Sequence, residues 1–248
     1  MKDSRLVMGM PITVEIVDRQ ALPSDIDDIF DYFHYVDELF STYKEDSEIS
    51  RLNRGELSLG SASRDVQIIF ALAEQTKQAT QGYFDIWHGD HYDPSGLVKG
   101  WAIFKANQLL AQKGFRNFRV DAGGDMHLSG ANSHGVEWRI GIRNPLHPDQ
   151  IVKVVKLKNC GIATSGTYLR GQHIYDPHQR QKELSDIVSL TVIGPNVYEA
   201  DRFATAAFAM GGEGISFIEH LSGFEGYQID GHGRATLTSG FNNYVSHQ

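Results

Sequence analysis

The sequence carries one cysteine, Cys160, in 248 residues. An internal disulfide is therefore impossible, and a cysteine metal cluster is excluded. Long apolar runs are missing too, so no segment approaches the length of a membrane-spanning helix. The stretch from Met1 to Val7 lacks the apolar core of a signal peptide. The chain as given is therefore expected to be cytoplasmic, with no membrane insertion. Basic residues are in the minority: 23 Lys and Arg against 31 Asp and Glu leave a net charge of −8. That balance argues against nucleic acid as a partner. No G-x-G-x-x-G follows a strand, and there is no Walker loop. Repeats, low-complexity tracts and Pro/Ser-rich linkers are also absent, so residues 1–248 are read as a single domain.

What is present, 41% apolar and 22% charged residues, suits an ordinary globule with a real core. Ile12 to Val17 alternates as a strand, after a tight approach at Met8-Gly9-Met10-Pro11. Ser24, with Asp27 three residues on, is expected to cap a helix with the stripe Ile26, Ile29, Phe30, Phe33, Val36 and Phe40. Residues 65–79 predict a second helix, and Pro94 to Gly100 leads into a third ending near Gly114. Strand patterns then follow in a run: two around Gly123-Gly124, one through Val136–Ile142, and one over Ile151–Leu157. A hairpin is expected from Ile162–Leu169 and Gln172–Tyr175, and a further strand over Val188–Ile193. A helix from Tyr198 to Gly211, a shorter one over Ile215–Leu221 and three short strands close the chain. Strands in runs with segregated helices predict an α+β fold with largely antiparallel sheet.

Four clusters could carry chemistry. On the Tyr198 helix, Asp201 and Thr205 share one face with Val197, Ala204 and Phe208. A carboxylate in an apolar stripe must be paired, protonated or bound to a metal. A hard cation such as Mg²⁺ would accept these oxygen ligands, and a salt bridge to a neighbouring Arg would also serve. In Asp93-Pro-Ser-Gly-Leu-Val-Lys99, Gly96 permits close backbone approach and Lys99 could reach a phosphate or lie solvated. In Asp121-Ala-Gly-Gly-Asp125, Asp125 could bond a ribose or ring nitrogen, or cap the turn. In Ala163-Thr-Ser-Gly166, Ser165 could present donors to a phosphate; His173, with Asp176 to orient it, is an acid–base candidate or a structural histidine. Metal oxygens, a phosphate-reaching Lys, small-residue loops and a titratable His together suit phosphoryl or nucleotidyl transfer.

At these residues the sequence resembles the ApbE family, the FAD:protein FMN transferases. The matching stretches are Met8-Gly9, Phe40 to Asn53, Phe84-Asp85-Ile86, Asp93 to Ala102, Asp121 to Asp125, Ala163 to Gly166, His173 to Pro177 and Ala200 to Ala206, in the family's order. The resemblance implies a T-fold-like α+β architecture binding FAD and Mg²⁺. It implies cleavage of the FAD pyrophosphate, transfer of FMN to a Thr or Ser of an acceptor flavoprotein through a phosphoester bond, and release of AMP. By the same resemblance Asp201, Thr205 and the Gly96 carbonyl would hold Mg²⁺. Met8, Tyr43, Phe84, Asp85, Ile86, Asp93, Lys99, Asp125 and Ser165 would bind or line the FAD site, and His173 would assist proton transfer. An acceptor would carry Asp-x-x-Ser/Thr-Gly-Ala-Ser/Thr. The alternatives are hydrolysis of FAD to FMN and AMP, or FAD binding without turnover.

The sequence departs from the family pattern at several points. Only Trp87 to Tyr92 separates Ile86 from Asp93, where relatives carry a longer helical segment. Met10 stands where Thr is common, and His178-Gln-Arg-Gln replaces the usual Arg-Thr-Gly. The export signal or lipid-anchor Cys of many relatives is not visible, so a periplasmic role is not expected.

Overall fold

The computed structural model describes residues 1–167, 174–179 and 187–246. Its frame is an eight-stranded sheet in the order β1-β2-β3-β4-β7-β8-β9-β10, with every neighbouring pair antiparallel. In chain order the first elements are β1 (Lys2–Val7), β2 (Met10–Ile16) and helices α1 (Pro23–Phe40), α2 (Glu48–Asn53), α3 (Arg64–Ala79) and α4 (Ser95–Gln112). Strands β3 (Phe118–Ala122), β4 (Asp125–Ser129), β5 (Trp138–Arg143), β6 (Ile151–Leu157), β7 (Cys160–Gly166) and β8 (Ile187–Gly194) come next. Helices α5 (Val197–Ala209) and α6 (Gly214–Glu219) and strands β9 (Glu225–Asp230) and β10 (Ala235–Leu237) complete it. This is the α+β fold with antiparallel sheet expected from the pattern.

Strand alternation decides which face meets what. On β7 and β8, Ile162 and Ile193 face one way, into a core with Trp138, Ile140, Val155 and Phe241. Their neighbours Ala163 and Val192 face the other way, against Ala200, Ala204, Ala207 and Phe208 of α5. The β5–β6 ribbon thus covers one face of the sheet and the helices cover the other. β8 is covered on both faces, and every residue after Val188 is buried, which explains its nearly unbroken apolar run. Helices α4 and α5 touch each other as well as the sheet, α4 lying over β3 and β4 and α5 over β7 and β8. No helix among the described residues is long and apolar enough to cross a membrane.

Four expectations need correction. Residues 2–7, where no strand was expected, form β1, which pairs with β2 over the full register from Lys2–Glu15 to Val7–Met10. Helix α1 begins at Pro23, not after Ser24; the Asp25 carboxylate accepts the Leu22 N–H at 2.9 Å, and Asp27 pairs instead with Arg5. Proline at the first helical position costs no hydrogen bond, because that amide has no helical partner. β7 pairs with β4 and β8, and among the residues expected to form its hairpin partner, Ile174 and Tyr175 are not in a strand. The C-terminal region holds two strands among the described residues, followed by a short 3₁₀ turn at Phe241–Tyr244.

Candidate active site

The cleft lies where α4 and α5 meet the ends of β3, β4 and β7. Asp201 sits in the second turn of α5, 2% exposed. Its Oδ2 accepts the Gly100 N–H at 2.8 Å, and its Oδ1 faces Lys99 Nζ at 3.4 Å. The alternative partner, an adjacent arginine, is otherwise engaged: Arg202 binds Glu199 and Thr76. Burial pushes the Asp201 carboxyl above the usual carboxylate range; the Lys99 ammonium opposes that shift, and the nearby Asp125 charge adds to it.

Close approach of the two helices depends on Gly100. A Cβ there would lie 2.7 Å from Asp201 Cβ and 3.0 Å from the Val197 carbonyl oxygen. The Gly100 amide is the one a regular helix aims at the Gly96 carbonyl. A carbonyl oxygen has two lone pairs, so the Gly96 carbonyl can take a helical hydrogen bond and still offer a lone pair to a cation. Gly96 is itself close to the pair: a Cβ there would meet Thr205 Cγ2 at 3.4 Å and Thr205 Oγ1 at 3.9 Å. Thr205 Oγ1 lies 3.5 Å from Ser165 Oγ at the end of β7. A carboxylate, an alcohol and a backbone carbonyl thus belong to residues of α4 and α5 that line one cleft. This all-oxygen set fits a hard divalent cation such as Mg²⁺, which keeps much of its shell for water and phosphate. It is not a cluster of three acidic, histidine or cysteine ligands, and none exists among the described residues.

Lys99 extends from the second turn of α4 to Asp125, which is 2% exposed at the start of β4. Asp125 Oδ1 accepts the Thr164 N–H at 2.8 Å. Asp93 shapes the entry to α4 by accepting the Ser95 N–H at 2.9 Å. The start of α5 is held by Asn196, whose side chain accepts the Glu199 N–H at 2.9 Å, and by His127, whose Nδ1 accepts the Val197 N–H at 3.3 Å. Burial pushes the His127 imidazole down to about 4, so it is neutral at pH 7 with its proton on Nε2.

Of the residues expected to serve the site, Phe84, Asp85, Asp93, Gly96, Lys99, Ser165, Asp201 and Thr205 line this one cleft. Asp125 lies beneath Lys99, not in the cleft wall. Ile86 is buried in the core and lines a neighbouring groove with Phe70, Trp87 and Tyr92. Met8 is in the β1–β2 turn with φ 54°, packed on the core at the sheet end where Gly123 lines the cleft. Tyr43 is 95% exposed after α1 and is not part of the cleft wall. His173 lies outside the described residues.

Thr164, Ile174 and Tyr175, which lie in stretches already singled out but were given no role of their own, line the cleft, as do Tyr83 and His88, which no expectation named. His88 and Tyr175 meet edge-on with centroids 4.8 Å apart, and His178 meets Tyr83 at 4.7 Å. Tyr83 and His88 come from a loop without periodicity. The only available signal was the density of aromatic and histidine residues between Tyr83 and Tyr92.

The sequence and the fold have counterparts among known proteins. The sequence profile of the ApbE family matches residues 8–92 and 90–227. The chain belongs to the ApbE family. Within it, the FAD:protein FMN transferase of Vibrio cholerae is 26% identical over 256 residues, spanning 80% of this chain and 76% of that protein. The Escherichia coli K12 FAD:protein FMN transferase is 30% identical over 157 residues, and that match spans 60% of this chain and 45% of the relative. The solved flavin transferase ApbE from Vibrio cholerae superposes with a TM-score of 0.86 at 23% identity, covering 98% of each chain. The Thermotoga maritima ApbE protein superposes equally well at 18% identity, covering 100% of this chain and 99% of that one. At these identities the superpositions establish the shared fold.

Proposed function

We propose that this ApbE-family chain is a Mg²⁺-dependent FAD:protein FMN transferase. The observation that carries the reading is the meeting of Asp201, Thr205, Gly96, Lys99 and Ser165 at one cleft. It occurs in a chain whose curated relatives bear that name. In the reaction, the hydroxyl oxygen of an acceptor Ser or Thr bonds to the phosphorus of the FMN half of FAD. The bond between that phosphorus and the bridging oxygen breaks, AMP departs with the bridging oxygen, and the hydroxyl proton passes to a base.

Each residue has a part in that chemistry. Asp201 and Thr205, four apart on α5, with the Gly96 carbonyl, would hold the cation. Bound there, Mg²⁺ supplies charge neutralisation at the diphosphate. Lys99 brings a point charge to the same wall, and Ser165 offers a hydroxyl beside Thr205. Phe84, Tyr83 and Tyr175 provide faces and edges for the aromatic parts of the dinucleotide. His173 is the proposed base, since an alcohol with a pKa far above neutral needs one.

The test is to incubate the protein with FAD, Mg²⁺ and a peptide carrying Asp-x-x-Ser/Thr-Gly-Ala-Ser/Thr. We expect one FMN on the peptide for each AMP released. AMP released with the peptide unmodified would identify a hydrolase; FAD bound without AMP release would identify a carrier.

A further inference from the structure

Asp125 and Asp201 are treated alike by the fold. Each is buried, and each gives one oxygen to a backbone amide at 2.8 Å: Asp125 Oδ1 to Thr164 and Asp201 Oδ2 to Gly100. Each turns its other oxygen toward the same ammonium, that of Lys99. The two are not equal partners: Asp125 Oδ2 makes the closer contact, and Asp201 Oδ1 stands back at 3.4 Å. Asp125 Oδ2 has no conventional hydrogen bond, so the ammonium is what compensates its burial. Asp201 Oδ1 is the oxygen of that carboxylate not taken by Gly100, and hence the one a cation would use.

We propose that Lys99 is a resident counter-cation competing with the divalent ion for Asp201 Oδ1. Asp125 is the positioning residue that holds the ammonium aside when the divalent ion enters. This inference rests on the reading of Asp201 as a metal ligand. The physical grounds are charge and placement. One ammonium faces two buried carboxylates, so the triad retains a net negative charge that a second cation would relieve. A divalent ion on Asp201 Oδ1 would stand a few ångströms from the ammonium, where the low local dielectric makes repulsion strong. The lysine stem is flexible and its head is a point charge, so it needs an anchor to stay in the cleft wall. Asp125, fixed to Thr164 on the neighbouring strand, is that anchor. The arrangement keeps a monovalent charge on the carboxylates before metal arrives and keeps the same charge close to the phosphates afterwards.

The test reads Mn²⁺ binding to the FAD-free protein by calorimetry or electron paramagnetic resonance at pH 8. Lys99→Met should bind Mn²⁺ at least about fivefold more tightly than wild type, because the competing cation is gone. Asp125→Asn keeps an acceptor for Thr164 and should weaken Mn²⁺ binding at least about fivefold, by letting Lys99 settle on Asp201. In the Lys99→Met background the Asp125→Asn effect should shrink to less than about half on a logarithmic scale, because the coupling runs through the ammonium. Unchanged or weaker binding by Lys99→Met would overturn the competition. An equal effect of Asp125→Asn in both backgrounds would overturn the positioning role. Asp201→Asn separates this inference from the reading beneath it: if Mn²⁺ binding survives that change, or wild type binds none, both fall together. If Asp201→Asn abolishes binding while Lys99→Met leaves it unchanged, the metal reading stands and only the competition fails.

Discussion

At one end of the cleft, Asp201, Thr205, Gly96 and Lys99 project from two helices that bury most of their surface. At the other end, Tyr83, His88, Ile174 and Tyr175 project from loops; His88 meets Tyr175 and Tyr83 meets His178 edge-on. The helical end is fixed by backbone amides, a helix cap and close packing at Gly100. Among the described residues the loop end is held by aromatic contacts and by hydrogen bonds that include the Tyr175 hydroxyl to the Trp87 carbonyl at 3.4 Å. Charge chemistry needs groups placed within fractions of an ångström, and rigid buried elements supply that. Holding an aromatic ring tolerates looser placement, and short loops suffice for it.

This contrast predicts a gradient of mutational effects. The largest should come from Asp201→Ala. We expect FMN transfer to fall by at least ~100-fold, since the one buried carboxylate of the proposed cation site is gone. Steady-state assays of peptide labelling at ordinary Mg²⁺ check this.

Next comes acid sensitivity of the helical end through His127. Its folded pKa is about 4, below the ordinary value of 6.5, so between those values the unfolded chain binds more protons. Its contribution is complete above pH 6.5 and is lost as pH falls toward 4. By pH 4 the loss reaches about 3 kcal/mol. Protonation would also remove the acceptor for the Val197 N–H and set a cation at the positive end of α5. Urea unfolding between pH 4 and 7 should show this slope, and His127→Gln should flatten it.

The helical end was also the more legible one. Asp201 and Thr205 could be placed on one face because 3.6-residue periodicity is strong over α5. The Gly123-Gly124 turn could be placed because strands flank it. The loop end was illegible for a physical reason: contacts such as His88 with Tyr175 join residues 87 apart with no pattern on either side. β1 was missed because its burial alternates only weakly, with a single buried residue at Val7. Asp125 was expected to bond a ligand group or to cap the turn; a sequence shows that a carboxylate is present but not that the Thr164 amide and the Lys99 ammonium engage it. Gly100 was passed over for a similar reason. Its need for a missing Cβ arises from α5, a hundred residues away in sequence.

Two smaller effects sharpen the comparison. Gly100→Ala should destabilise the fold by about 1–3 kcal/mol through overpacking against Asp201 and Val197. Its Mn²⁺ affinity should fall with it, as read by denaturation and by titration. Tyr175→Ala should raise KM for FAD by less than about tenfold with kcat little changed, because a single edge contact is worth about 0.5–1.5 kcal/mol. A collapse in kcat instead would mean that the loop end positions the reacting atoms, and the two ends would not differ in kind.

The most direct measurement is anomalous scattering from a crystal of the full chain grown with FAD and Mn²⁺. The account predicts one strong metal peak in contact with Asp201 Oδ1 and Thr205 Oγ1, with diphosphate oxygens completing its shell. A peak bound elsewhere in the cleft, or a diphosphate seated with no metal at that pair, would contradict it.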